Sequence, residues 1–189
     1  MMIMLIKQIP NMLTTLRLML ALPISWLILE GNYGLVLWVA AFAGFTDGVD
    51  GWIARKLDAT SRYGGIVDPL ADKLLLGCIF VSLAVVGQLP WWVAATVVLR
   101  DLVIVIGAVT YHFLYGAYEA EPSLLGKLST LLQIVFAILV LISQLTPLVA
   151  QTFLEFAQWS VIILAAASGG HYVFTWAARA RASAAVLKE

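Results

Sequence analysis

The segment from Leu124 to Leu145, LLGKLSTLLQIVFAILVLISQL, contains a single charged residue, Lys127. A bilayer core about 30 Å thick needs about 20 helical residues for one crossing, and this segment has that length and a predominantly apolar composition. Five further stretches are also largely apolar and are of similar or greater length. The six predicted spans cover residues 11–29, 34–57, 65–86, 92–115, 124–145 and 148–178. The last is too long for one straight crossing, so we expect it to tilt or to continue as an interfacial helix.

The composition of the whole chain points the same way. Of 189 residues, 62% are hydrophobic and 12% are charged, whereas soluble domains are about 45–50% apolar and about 25% charged. This composition excludes an ordinary cytosolic globule and a disordered chain. The formal net charge is zero, so bulk electrostatics do not favour a nucleic-acid partner. We predict an all-α integral membrane protein with a single domain over residues 1–189.

Basic residues are distributed unevenly between the ends of the spans. The breaks at residues 30–33, 87–90 and 146–147 contain no Lys or Arg. The opposite ends hold Lys7, Arg17, Lys56, Arg62, Lys127, Arg179, Arg181 and Lys188. The positive-inside rule therefore places both termini in the cytoplasm, which requires an even number of spans and so agrees with six. Residues 1–10, which precede the first span, are predicted to form an interfacial lead-in helix.

Carboxylates in or beside apolar spans are costly and by default indicate function. Four such groups are Asp47 and Asp50 in DGVDGWIAR (47–55), and Asp68 and Asp72 in GGIVDPLAD (64–72). At about 100° per residue, Asp47, Asp50, Gly51, Ala54 and Arg55 project within about 140° of one helix, and Asp68 and Asp72 lie about 40° apart on the next. One short loop joins the two helix ends. We expect the four carboxylates to converge near the cytoplasmic surface.

Four converging carboxylates would repel one another unless cations neutralised them. Two Mg²⁺ or Mn²⁺ ions bring the matching positive charge, and all-oxygen ligation suits hard metals. Such a two-ion cluster is a recurrent device for displacement at phosphorus. On the same helix face, Gly51 and Ala54 remove side-chain bulk, and Arg55 offers a fork of donors to phosphate oxygens.

Two other interpretations of the aspartates are open. In the first, they only form ion pairs with Arg55, Arg62 and Lys73, although four acids exceed those three bases and the glycines then have no role. In the second, they line a cation pathway, although they cluster at one end instead of following the spans across the membrane.

The motif residues resemble the signature of the CDP-alcohol phosphotransferase family, D-x2-D-G-x2-A-R-x8-G-x3-D-x3-D. The match is complete in residue type and spacing, at Asp47, Asp50, Gly51, Ala54, Arg55, Gly64, Asp68 and Asp72. The six-span layout and the opening IPNMLT, residues 9–14, through Arg17 are also similar to the family. The resemblance therefore extends over most of the chain.

The resemblance implies a role for each motif residue. Asp47, Asp50 and Asp68 are implied to bind metal, and Asp72 to bind metal and to act as the general base. Gly51, Ala54, Arg55 and Gly64 are implied to accommodate the cytidine diphosphate portion of the donor. The resemblance also implies CDP-diacylglycerol as the donor, CMP as the leaving group, and a homodimer in the membrane lipid.

The acceptor is predicted from the fourth and fifth spans. Phosphatidylglycerophosphate synthases resemble one another in an R-E-x2-V-S-G-L-R stretch, but here the segment that begins at Arg100 ends in Ala108, where the second arginine would lie. The same segment, with KLSTLLQ at residues 127–133, looks more like the eukaryotic-type cardiolipin synthases. Phosphatidylglycerol is therefore the preferred acceptor, with glycerol 3-phosphate or another alcohol as the alternative.

Four basic residues are candidates for contact with the acceptor or a phosphate: Arg100, Lys127, Arg62 and Arg17. For Arg100, a structural pair within the membrane is the alternative. Adjacent helix positions point about 100° apart, so we expect Arg100 and Asp101 each to meet another helix rather than each other. Arg17 has the alternative of snorkelling to the cytoplasmic surface.

Two other functional classes compete with a phosphatidyltransferase. A membrane prenyltransferase also uses aspartates and Mg²⁺ to engage a diphosphate, but its pattern lacks the Gly51-x2-Ala54-Arg55 element. A membrane scaffold without catalysis is the non-enzymatic alternative. Because the first residues do not resemble a mitochondrial presequence, the predicted location is the bacterial inner membrane, with the active site facing the cytoplasm.

Overall fold

The computed structural model describes residues 15, 18–56, 64–115 and 123–186, with side chains except at 45–56, 64–72, 108, 111–115 and 177–186. In these residues the chain forms six α-helices and no β-strand. They are α1 (Leu18–Leu29), α2 (Tyr33–Lys56), α3 (Gly64–Val85), α4 (Trp91–Tyr115), α5 (Leu124–Ser143) and α6 (Gln151–Val186). The all-helical prediction is confirmed. The predicted lead-in helix over residues 1–10 and the start of the first span lie outside the described residues.

The helix ends follow the predicted spans closely except around the last helix. The predicted break at residues 146–147 is wider in the structure, because α5 ends at Ser143 and α6 begins at Gln151. Pro147 lies in this gap, and proline disfavours helical geometry in the residue before it. Helix α6 runs to Val186, past the predicted end at residue 178. Its 36 residues span about 54 Å, more than the bilayer core requires.

Two helices end in the same glycine-dependent cap. At the end of α1, the Gly31 amide donates to the Ile28 carbonyl at 3.0 Å and the Asn32 amide donates to the Leu27 carbonyl at 2.9 Å. The same pair of bonds ends α3 around Gly87. Both glycines have φ of 76°, the left-handed conformation that defines a Schellman cap. These caps end α1 and α3 at the two predicted breaks, residues 30–33 and 87–90.

The helices form two compact units. The first comprises Met1–Trp91 with Val140–Leu148, and the second comprises Trp92–Leu139 with Val149–Glu189. In the first unit the fully buried side chains include Ile24, Ile28, Val36, Phe80 and Leu83. In the second they include Val93, Val97, Phe136, Val161 and Ala165. The prediction that residues 1–189 form one domain stays a prediction.

The second unit buries polar groups and exposes large apolar ones. Its buried polar side chains are Arg100, Asp101, Ser129, Gln133 and Ser168. Large apolar side chains at its surface include Leu128, Leu131, Phe156 and Ile163. The segments Leu124–Ser143 and Gln151–Trp176 are long and apolar enough to cross a membrane. Only 39% and 22% of their apolar stretches of 18 residues are buried. Buried polar side chains and exposed apolar ones are the reverse of the distribution in a soluble domain, and they are consistent with a membrane protein.

The Schellman cap gives a test of helix termination. Replacing Gly87 by Ala is expected to lower the free energy of unfolding by about 1 kcal/mol, because an L-residue is strained at positive φ although no atom lies within 4 Å of the new Cβ. The measurement is thermal unfolding in detergent. Gly170→Ala is the control, since this glycine lies inside α6 with equally open space, and alanine there is expected to be neutral or stabilising. An equal loss in both variants would contradict the cap.

Candidate active site

The eight motif residues lie on two consecutive helices of the first unit. Asp47, Asp50, Gly51, Ala54 and Arg55 belong to the last part of α2, which ends at Lys56. Gly64 is the first residue of α3, and Asp68 and Asp72 follow about one turn and two turns later. The predicted helical placement of the motif is therefore confirmed. The side chains of these residues lie outside the described part, so their convergence stays a prediction.

The donor set of the motif suits a hard divalent metal. Asp47 and Asp50 stand three residues apart and Asp68 and Asp72 four apart, so each pair shares a helix face. Four carboxylates offer only oxygen ligands, which Mg²⁺ and Mn²⁺ prefer. Among the side chains that the structure describes, no group of three or more His, Cys, Asp or Glu could hold a metal ion. On its oxygen chemistry, the motif stays the predicted site of the metal pair.

Arg100 is buried in the second unit, where it joins three helices. Its side chain on α4 is 4% exposed. Its Nη1 donates to Asp101 Oδ1 at 2.6 Å, and its Nη2 donates to the Ser168 hydroxyl on α6 at 2.8 Å and to the Gly126 carbonyl on α5 at 3.3 Å. A charged group can be buried at tolerable cost only when acceptors satisfy its donors, as they do here for both terminal nitrogens, although Nε has no hydrogen-bond partner. The guanidinium thus links α4 to α5 and α6.

The expectation that Arg100 and Asp101 do not meet is wrong, because the two side chains form an ion pair. The buried face of α4 also contains Val93 and Val97, and such a face is wide enough to include two adjacent positions. The arginine side chain is long enough to turn back to its neighbour. The other half of the expectation is confirmed for Arg100, which contacts two further helices. A substrate contact by Arg100 stays a prediction.

The other candidate bases differ from Arg100. Lys127 lies in the first turn of α5 and is exposed. Arg17 and Arg62 lie outside the described residues. Of the four candidates, Lys127 is therefore the one that the structure describes as exposed.

Four partners of this region were missed from the sequence: Ser123, Gly126, Ser168 and Tyr172. Ser123 Oγ accepts from the Gly126 amide at 3.1 Å, and the Tyr172 hydroxyl accepts from the Ser123 amide at 3.1 Å. Two signals were available. Serine directly before an apolar helix is a frequent N-cap, and Ser168 and Tyr172 are polar residues one turn apart in an apolar span.

The family model described as CDP-alcohol phosphatidyltransferase matches residues 7–175. This range contains all eight motif residues and the Arg100 contacts. The match extends far beyond the motif and includes residues of both compact units.

Three relatives illustrate the similarity. The human cardiolipin synthase (CMP-forming) is 32% identical over 143 residues, which is 67% of this chain and 48% of the human protein. A Mycobacterium tuberculosis protein provisionally named a cardiolipin synthase is 29% identical over 91% of this chain and 79% of its own length. A second protein of that organism, provisionally named a phosphatidylglycerophosphate synthase, is 38% identical over 51% of this chain and 49% of its own length. The chain spans less than half the length of the eukaryotic relatives it matches.

The Arg100 contacts give a stability test. Arg100→Met is expected to lower the free energy of unfolding by about 3 kcal/mol, because it takes the arginine donor from the buried Ser168 hydroxyl and removes the charge that balances Asp101. Unfolding in detergent micelles measures the loss. The matched control is Leu99→Met, the preceding residue, whose side chain is 60% exposed and should tolerate the change. A loss in Arg100→Met no larger than in the control would show that the contacts do not support the fold.

Proposed function

Because this chain belongs to the CDP-alcohol phosphatidyltransferase family, we propose that it is a membrane phosphatidyltransferase of phospholipid synthesis. It moves the phosphatidyl group from CDP-diacylglycerol to the hydroxyl of a glycerol-type acceptor and releases CMP. The observation that carries this proposal is the complete eight-residue motif, whose members belong to the consecutive helices α2 and α3. The chemistry of those residues supports each part of the reaction.

Asp47, Asp50, Asp68 and Asp72 are proposed to hold two Mg²⁺ or Mn²⁺ ions. The support is their all-oxygen donor chemistry and their spacing on the two helices. When bound, the ions neutralise charge on the diphosphate and on the departing CMP. The glycines and alanine of the motif, Gly51, Ala54 and Gly64, leave room for the cytidine diphosphate group, and Arg55 donates to its phosphate oxygens.

The reaction is proposed to be one displacement at phosphorus. The acceptor hydroxyl oxygen forms a bond to the phosphorus that carries the diacylglycerol, and the bond from that phosphorus to the CMP oxygen breaks. The hydroxyl proton passes to the Asp72 carboxylate, which acts as general base. CMP leaves with the electron pair of the broken bond. Arg55 holds the donor so that its phosphorus meets the attacking oxygen.

Phosphatidylglycerol is proposed as the acceptor, which makes the product cardiolipin. Support comes from the relatives named as cardiolipin synthases, one of which matches 91% of this chain. Ala108 stands where a second arginine would favour a free phosphate. Glycerol 3-phosphate is the second candidate, favoured by the similarity to a protein provisionally named a phosphatidylglycerophosphate synthase. Lys127 is proposed to contact the acceptor phosphate, with Arg62 and Arg17 as further candidates.

The proposed setting is the bacterial inner membrane. Six spans, an interfacial helix at residues 1–10, cytoplasmic termini and a site that faces the cytoplasm are supported by the placement of Lys and Arg. The bacterial location is supported by the mycobacterial relative, which this chain covers more completely than it covers the human one. A homodimer is proposed on the family resemblance.

The role of Asp72 predicts a variant that folds but does not turn over. Purified Asp72→Asn is expected to release CMP from CDP-diacylglycerol at least 100-fold more slowly than the unaltered protein, with an unchanged unfolding midpoint. In the unaltered protein, EDTA should stop CMP release and Mg²⁺ or Mn²⁺ should restore it. Glu155→Gln makes the same chemical change at an exposed carboxylate on α6 and should leave turnover intact. Full turnover in Asp72→Asn would contradict the role of Asp72, whereas no CMP release from the unaltered protein would favour the scaffold interpretation.

The acceptor is tested by offering phosphatidylglycerol and glycerol 3-phosphate in separate reactions with CDP-diacylglycerol. We expect CMP release and cardiolipin formation with phosphatidylglycerol, because the Lys127 ammonium, exposed among the described side chains, suits its single phosphodiester charge. Thin-layer chromatography or mass spectrometry of the lipid product distinguishes the reactions. Formation of phosphatidylglycerophosphate alone would replace the preferred acceptor by the second candidate and leave the reaction class in place.

A further inference from the structure

The first turn of α5 is held from outside by two other helices. Five residues form this arrangement, which we call the α5 collar: Arg100, Ser123, Gly126, Ser168 and Tyr172. Tyr172 on α6 accepts from the Ser123 amide, and Arg100 on α4 donates to the Gly126 carbonyl. Ser168 and Tyr172 stand one turn apart on α6 and so share a face. All five belong to the second compact unit.

The collar fixes the turn more tightly than an ordinary cap does. Ser123 Oγ accepts a hydrogen bond from the Gly126 amide, as the side chain of an N-cap residue usually does. The Tyr172 hydroxyl then satisfies the amide of the cap residue itself. A Cβ on Gly126 would lie 3.1 Å from the Tyr172 hydroxyl oxygen and 3.2 Å from Ser123 Oγ, so this close approach requires glycine or a local shift. The backbone of the turn has little freedom to move.

Lys127 follows directly after Gly126 in this fixed turn. Its amide donates to the Ser123 carbonyl at 3.0 Å, and its side chain is exposed. The described side chains of the second unit include two Lys or Arg residues. Arg100 is buried, and Lys127 is exposed. Among the described side chains, the collar thus presents an exposed cation from a backbone that contacts with three helices hold in place.

We propose that Tyr172 is a positioning residue: its hydroxyl, through Ser123 and Gly126, holds Lys127 where the lysine binds the phosphodiester of the acceptor lipid. This inference rests on the proposed function and adds to it the device that keeps the acceptor-binding cation in place. A flexible lysine loses side-chain and backbone freedom when it binds a phosphate, and a fixed backbone reduces that loss. Tyr172 itself does not touch the substrate.

The test is a double-mutant cycle with steady-state kinetics. In Tyr172→Phe only the hydroxyl is removed, and the ring keeps its edge contact with Trp176. The KM for phosphatidylglycerol in mixed micelles is expected to rise about three- to tenfold, as for loss of one hydrogen bond, with kcat and the KM for CDP-diacylglycerol unchanged. Lys127→Met is expected to raise the same KM about tenfold or more. Tyr33→Phe, the same change in the first unit, is the control and should alter neither KM.

The double variant decides between positioning and general stability. If Tyr172 acts through Lys127, adding Tyr172→Phe to Lys127→Met produces no further rise in KM. If the tyrosine only supports the fold, its effect is the same with or without the lysine, or kcat falls as well, and the inference is overturned. If Tyr172→Phe is unstable, Ser123→Ala is the second variant, because it removes the contact between Ser123 Oγ and the Gly126 amide. Its acceptor KM is then compared with and without Lys127→Met in the same way.

The two proposals fail in different ways. Turnover with an unchanged acceptor KM in Lys127→Met overturns this inference and leaves the reaction class standing. Absence of CMP from the unaltered protein with either acceptor overturns the proposed function, and this inference with it.

Discussion

Burial of the Arg100 guanidinium is the constraint on which the described part of the second unit depends. A cation out of water costs several kcal/mol unless acceptors surround it. Here the acceptors come from α4, α5 and α6: a carboxylate, a backbone carbonyl and a hydroxyl. The three helices must stay in register for these bonds to exist together. Apolar contacts alone would permit the helices to slide, since the exposed faces of α5 and α6 are apolar too.

The helices themselves could be predicted from sequence because composition and chain breaks determine them. Two breaks contain a glycine that adopts positive φ, Gly31 and Gly87, and there the predicted ends of the spans agree with the structure to within about a residue. The end of α6 could not be predicted in this way. Residues 179–186, RARASAAV, are too polar to extend a membrane span, yet alanine and arginine favour helix, so the helix continues where the apolar run stops.

The candidate site was predictable in its residues and much less in its contacts. Eight motif residues could be identified because their spacing is a local property of the chain, and α2 and α3 are helical where that spacing requires it. Arg100 was identified as unusual, but its partners Gly126 and Ser168 are 26 and 68 residues away in sequence. No periodicity connects residues so distant. The pairing with Asp101 was wrongly excluded because helical spacing describes where Cβ atoms point and not how far an arginine reaches.

Charge balance supports the proposed preference for a phosphodiester over a phosphomonoester as the acceptor group. Asp101 lies 2.6 Å from the guanidinium, so the pair has little net charge with which to attract a phosphate. In the part of the second unit whose side chains are described, Lys127 is the exposed Lys or Arg that can attract it. A phosphodiester carries one negative charge, which one ammonium can balance, whereas a phosphomonoester carries about 1.5 to 2 at neutral pH. A second arginine would supply the missing charge, and Ala108 stands at the position where it would lie. In the proposed function, the buried ion pair therefore stabilises the helices, and Lys127, which the collar holds in place, provides the charge that contacts the acceptor.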